Sequence, residues 1–190
     1  MNTPAPHATQ IVIQTERFKL RPLQMSDLGL MELYLGDARV ADMTRSIPHP
    51  LPPEYIRNRI ERAGSIDDAN EYWVIDGSAF GHAEVMGVVK LTRLDRKQSE
   101  IRYWVAPAFW NTGIATATVD AILRANPQSA RDIYAEVFQD NPTSARVLTQ
   151  AGFAYLGDAE TFSVARNAVV PTWTYVRKMS QPAATPSLQS

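Results

Sequence analysis

Hydrophobic positions along this chain follow two periods, and the switches between them outline its elements. In TERFKLRPL, Phe18 and Leu20 alternate with charged residues, which predicts a half-buried strand closed by Pro22. Ser26 and Asp27 then read as a helix start, with Leu28, Met31 and Leu35 at helical spacing. LPPEYIRNRIERAGS predicts a second helix: Pro52 and Pro53 suit its first turn, Ile56, Ile60 and Ala63 form one face, and Gly64 suits its exit. Period two returns in EYWVIDG and EVMGVVKLTRL, with a turn signal at Asp76–Gly77, and again in SEIRYWVA. Ile114, Thr118, Ala121 and Ile122 mark a helix that stops near Asn126–Pro127, and DIYAEVF is the next strand. NPTSARVLTQAGF carries strong end signals: Asn141 as cap, Pro142 in the first helical position, Gly152 at the exit. Two strands follow, around FAYLGDAETFSV and PTWTYVRKM. The order β-α-α-β-β-β-α-β-α-β-β predicts a mixed α/β fold, a sheet of about seven strands with helices on its faces.

Composition narrows the function. The 190 residues suit a single domain, expected over 11–179, with loosely ordered ends at 1–10 and 180–190 that are rich in Pro, Ser, Thr and Ala. There is no cysteine, which excludes disulfides, thiolate catalysis and cysteine-based metal sites. The three histidines are scattered without metal-ligand spacing, so no metal is expected, and His49 and His82 carry no assignment. A net charge of −1 with no basic run argues against nucleic acid as a partner. No apolar stretch approaches the ~20 residues of a membrane span, and the N-terminus lacks a secretory pattern. The expectation is a cytoplasmic protein, monomer or homodimer.

Chemistry concentrates in WNTGIAT, residues 110–116. The first N–H groups of a helix lack internal partners and, with the helix dipole, attract anions. Gly113 allows close approach of a ligand, and Ala115 and Thr116 keep the next turn slim. Main-chain donors across 111–116 suit a pyrophosphate, although a lone glycine before a helix is usually only a turn. A Gly-rich loop followed by Lys and Ser/Thr is absent, so triphosphate hydrolysis has no support.

Taken together, EIRYWVAPAFWNTGIAT and AEVFQDNPTSARVLTQAGF resemble the GNAT superfamily of acyl-CoA-dependent N-acyltransferases, over about residues 15–179. The resemblance is to the RimJ/RimL-type branch, whose named members acetylate ribosomal-protein N-termini. It implies a strongly twisted mixed sheet and transfer of an acetyl group from acetyl-CoA to a primary amine, on a peptide N-terminus or a small molecule. It also implies a strand pair that splays apart, so that Tyr103, Trp104 and Val105 meet the pantetheine. The pyrophosphate would lie on Trp110, Asn111, Thr112, Gly113, Ile114, Ala115 and Thr116, with Asn141 and Ser144 as further contacts. Trp110 stands where the family usually has a polar residue, and Asn111 where a second glycine is common. These departures, with Arg102 in place of a small residue, leave an acyl-CoA-binding module with little catalysis as the alternative.

Amine acetylation calls for a neutral amine, a polarised thioester carbonyl and a proton for the departing thiolate. The family pattern points to Glu100 as base; it shares a strand face with Arg102 and Trp104, so it is equally placed to be the partner of Arg102. Glu136 and Glu84 are the alternatives. The tyrosine that many members carry on the later helix is replaced by Leu148, and the branch pattern offers Ser144 as proton donor. A serine there can also bond its own backbone, and Asn141 is a cap as much as a ligand contact.

Overall fold

The computed structural model describes residues 10–63, 69–95 and 97–179. The expected loose ends lie outside them, apart from Gln10, as does Gly64. The sheet has eight strands: β1 (Ile13–Gln14), β2 (Lys19–Pro22), β3 (Asn70–Asp76), β4 (Gly87–Arg93), β5 (Gln98–Val105), β6 (Asp132–Phe138), β7 (Ala154–Ser163) and β8 (Ala168–Lys178). Their spatial order is β1-β2-β3-β4-β5-β6-β8-β7, and only the β5–β6 pair is parallel. The strand beyond the expected seven is β1, two residues too short to show a period.

Alternation along the strands sorts the core into two layers. Trp73, Ile75, Val89, Leu91, Ile101 and Ile133 pack with α4 (Ile114–Ala125) and α5 (Pro142–Gln150). Val74 and Val88 pack on the opposite face with α1 (Leu28–Leu35), α2 (Ala38–Ala41) and α3 (Tyr55–Arg62). The anticipated stripes of α1 and α4 are buried as read, including Met31, Leu35, Thr118 and Ile122. Pro52 and Pro53 precede α3 instead of opening it, because Glu54 takes a left-handed turn (φ 61°) that starts the helix one residue later. The four residues of α2 were not expected; the Asp37 carboxylate caps them by accepting from the Arg39 N–H at 2.9 Å.

A buried ionic knot joins the first helical layer to the sheet. The Arg21 guanidinium donates to both oxygens of Asp27 (2.7 and 2.9 Å) and to Asp76 (2.7 Å). Asp27 also accepts the Gln24 N–H, so the residue read as a helix start does two jobs. Among the described residues no helix is long and apolar enough to cross a membrane.

Candidate active site

The sheet opens at its parallel pair. β5 and β6 are in register only from Gln98↔Asp132 to Glu100↔Tyr134 and then diverge. The Ala106 N–H is bonded to the Met86 carbonyl on the β4 side. By alternation the main-chain groups of Tyr103 and Val105 therefore face the opened edge. The Val105 carbonyl is already taken there, by the Trp110 indole N–H at 2.7 Å. That bond explains Trp110: it ties the loop to the end of β5, a job a shorter polar residue would not do in this way.

Between β5 and α4 the chain forms a short turn and reaches Gly113 at φ 80°, the residue that starts the helix. No side chain caps α4, and its first helical bond is from the Ala117 N–H to the Gly113 carbonyl. The N–H groups of Ile114, Ala115 and Thr116 are thus left without a partner within the helix. Asn111 also lies in the left-handed region, at φ 59°. Asparagine is among the few side chains that tolerate it, which accounts for Asn where the family favours glycine. Thr112 works from behind the loop: its hydroxyl donates to the Phe109 carbonyl (2.6 Å) and its carbonyl accepts from Arg17 (2.9 Å).

These parts line a cavity of about 780 Å³ that runs between the starts of α4 and α5 and is walled by α2. Tyr103, Trp104, Val105, Trp110, Asn111, Gly113, Ile114, Ala115, Thr116, Asn141 and Ser144 all border it; Thr112 does not. The Asn141 carboxamide accepts the Ser144 N–H at 3.2 Å and so caps α5. With the cap supplied by Asn141, the Ser144 hydroxyl has no hydrogen-bond partner among the described residues. The Tyr103 hydroxyl reaches the Ser144 carbonyl at 3.4 Å, and burial pushes its pKa above the ordinary phenol value, so it stays a neutral donor.

A second, smaller cavity of about 120 Å³ meets the first at Tyr103, Asn141 and Ser144 and passes through the split to the other sheet face. Leu23, Met31, Leu35 and Ile47 give it an apolar wall, and Glu136 is the carboxylate on its lining. Glu136 accepts from the Thr172 hydroxyl (2.9 Å) and from Arg45 (3.4 Å). Glu100 borders neither cavity; one of its oxygens takes two bonds from Arg102, at 2.6 and 2.9 Å. Glu84 is half exposed and 3.7 Å from Arg21, away from the split.

Several residues of the site were not legible in the sequence. Arg39 lies 5.8 Å from the Trp110 ring and, with Arg146, lines the large cavity, where Asp42 and Asp140 also lie. Arg45, Arg59 and Thr172 reach the small one or its carboxylate from three separate elements. No local pattern marks them, because only the fold brings these segments together.

The family described as acetyltransferase (GNAT) domain matches residues 17–154. No curated protein sequence matches the chain. Among solved structures, the microcin C7 self-immunity acetyltransferase MccE with acetyl-CoA and AMP is similar at TM-score 0.74 and 15% identity, covering 86% of this chain and 93% of that one. RimL, a ribosomal L7/L12 alpha-N-protein acetyltransferase with coenzyme A, is similar at TM-score 0.73 and 17% identity, covering 89% and 98%. The spermidine N-acetyltransferase of Vibrio cholerae with CoA and spermine is similar at TM-score 0.70 and 17% identity, covering 87% and 97%.

Proposed function

The chain belongs to the GNAT acetyltransferase domain family, and from that premise we propose that it moves an acetyl group from acetyl-CoA to a primary amine by direct attack. The observation that carries the reading is the junction of the two cavities at Ser144 and Tyr103. The large cavity suits the donor: uncapped helix N–H groups meet the pyrophosphate, and the open β5 edge pairs with pantetheine amides. The small cavity suits the acceptor.

The steps follow from what borders the junction. Glu136 holds the incoming ammonium and accepts its proton, directly or through water. The amine nitrogen bonds to the thioester carbonyl carbon, and the main-chain N–H groups of the β5 edge polarise the carbonyl oxygen. The carbon–sulfur bond breaks, the nitrogen releases its second proton to solvent, and the Ser144 hydroxyl gives its proton to the sulfur, regaining one from solvent. Glu136 takes the base role ahead of Glu100, because Glu136 borders the acceptor cavity and Glu100 is spent on Arg102. The acceptor is an N-terminal α-amine, as in the RimJ/RimL-type branch, or a small-molecule amine.

Calorimetry with acetyl-CoA and release of free CoA thiol over a panel of amines test this reading. The expected result is saturable binding and acceptor-dependent release. Ser144→Ala is expected to lower kcat by about a hundredfold while acetyl-CoA affinity stays near that of the unaltered protein. Acetyl-CoA binding without thiol release on any amine would mean a binding module instead.

A further inference from the structure

Two elements hold the two oxygens of Glu136. The Thr172 hydroxyl, on β8, donates to Oε1 at 2.9 Å, and Arg45, in the segment between α2 and α3, reaches Oε2 at 3.4 Å. A carboxylate offers about four lone-pair positions on its two oxygens. Each oxygen of Glu136 has one donor among the described residues, so each keeps a position for an incoming amine.

Strand register explains why Thr172 reaches this carboxylate. Glu136↔Thr174 and Phe138↔Thr172 are direct pairs across β6 and β8. Alternation therefore puts Glu136 and Thr172 on one face of the sheet, as diagonal neighbours. Such neighbours lie about 7–8 Å apart, within reach of a long side chain. The two donors differ in how firmly they are placed. Thr172 is fully buried, and its strand is paired on both sides, to Phe138 and to Ala159. Its branched Cβ restricts the rotamer, so the hydroxyl has a fixed direction. Arg45 carries its guanidinium on a side chain that is half exposed, and ion pairs of that kind contribute little. Thr172 thus sets the orientation of the carboxylate.

Thr172 itself borders neither cavity, whereas Glu136 is the carboxylate on the lining of the small one. We infer that Thr172 is a positioning residue for the transfer: its hydroxyl fixes Glu136 by Oε1, so that the remaining lone-pair positions are presented to the amine. This rests on the acetyltransferase reading and on Glu136 as its base. A carboxylate without that anchor samples several orientations, and a displacement of about 1 Å can cost up to a hundredfold in rate.

The test follows acetyl-CoA-dependent thiol release with three probes: a peptide with a free α-amine, a free amino acid and spermidine. Kinetics are then measured on the probe that the unaltered protein turns over fastest. Thr172→Val keeps the branched shape and removes the hydroxyl; it is expected to lower kcat about tenfold, with acetyl-CoA KM unchanged. Thr172→Ser keeps the hydroxyl and is expected to recover most of that loss. Should the valine variant not fold, Thr172→Ala takes its place with the same expected loss. The deciding measurement is the cycle with Glu136→Gln: in that background, removing the hydroxyl is expected to change kcat by less than about twofold. A merely structural role would show as an equal loss in both backgrounds. That result overturns the inference and leaves acetyl transfer standing, as does full kcat without the hydroxyl or a serine variant as slow as the valine one. If Glu136→Gln alone keeps full kcat, the base assignment falls and the inference with it. If none of the three probes is acetylated, the underlying reading falls as well.

Discussion

Two carboxylates two strand positions apart meet different fates because of one arginine each. Arg102 saturates an oxygen of Glu100 at 2.6 Å, whereas Arg45, half exposed, is 3.4 Å from Glu136. Alternation put Glu100, Arg102 and Trp104 on one face, and that much was readable; which carboxylate borders a cavity was not, since it depends on where β5 and β6 part. Glu136→Gln is expected to lower kcat about a hundredfold, with the loss largest at low pH, where the amine is hardest to deprotonate. Glu100→Gln is expected to act mainly on acceptor KM, by loosening Arg102. A pH–rate comparison of the two variants decides between them, and a larger kcat loss in the Glu100 variant would reverse the assignment. Asn111 and Trp110 stood out in the sequence as departures, and each has a local cause: a left-handed backbone for one and a bond to the Val105 carbonyl for the other.

The two helix starts at the site are built on opposite principles. α5 has a side-chain cap, Asn141, and so releases the Ser144 hydroxyl; α4 has none and leaves its first N–H groups facing the cavity. Asn141→Ala is expected to cost about 1 kcal/mol, lowering Tm by about 2–4 °C for a chain of this size, readable by thermal melting. At Gly113 there is room for a methyl group, the nearest atom being Arg17 Nη1 at 3.5 Å, so the cost of substitution lies in the backbone. Gly113→Ala is expected to destabilise by about 1–2 kcal/mol and to weaken acetyl-CoA binding several-fold by calorimetry, as the α4 donors turn from the cavity. The ends of both helices were legible in the sequence, because capping is a local matter of one residue's shape and its neighbours' hydrogen bonds.

Across the whole molecule, the Arg21–Asp27–Asp76 knot fastens α1 to β2 and β3 and sets an acid limit. Burial alone would raise the pKa of Asp76, but hydrogen bonds from Ser78 and Arg21 outweigh it and hold the carboxyl at about 2, against an ordinary 3.8. A folded value below the unfolded one stabilises the fold fully above the unfolded value and loses that contribution as pH falls through the folded one. The contribution is about 2 kcal/mol at most, expected to disappear between about pH 4 and pH 2 and measurable by denaturant titration at several pH values. Asp76→Asn is expected to lower stability at neutral pH and to flatten that acid slope. By itself the sequence determined seven of the strands, four helices, the cap of α5 and the turn at Gly113, since each follows from periodicity and from the backbone preferences of a few neighbouring residues. The tertiary structure decided where the sheet splits, which of two carboxylates borders a cavity, and the meeting of Arg59, Lys90 and Arg102 on one cavity lining. Those are contacts between residues far apart in the chain, and no local preference encodes them.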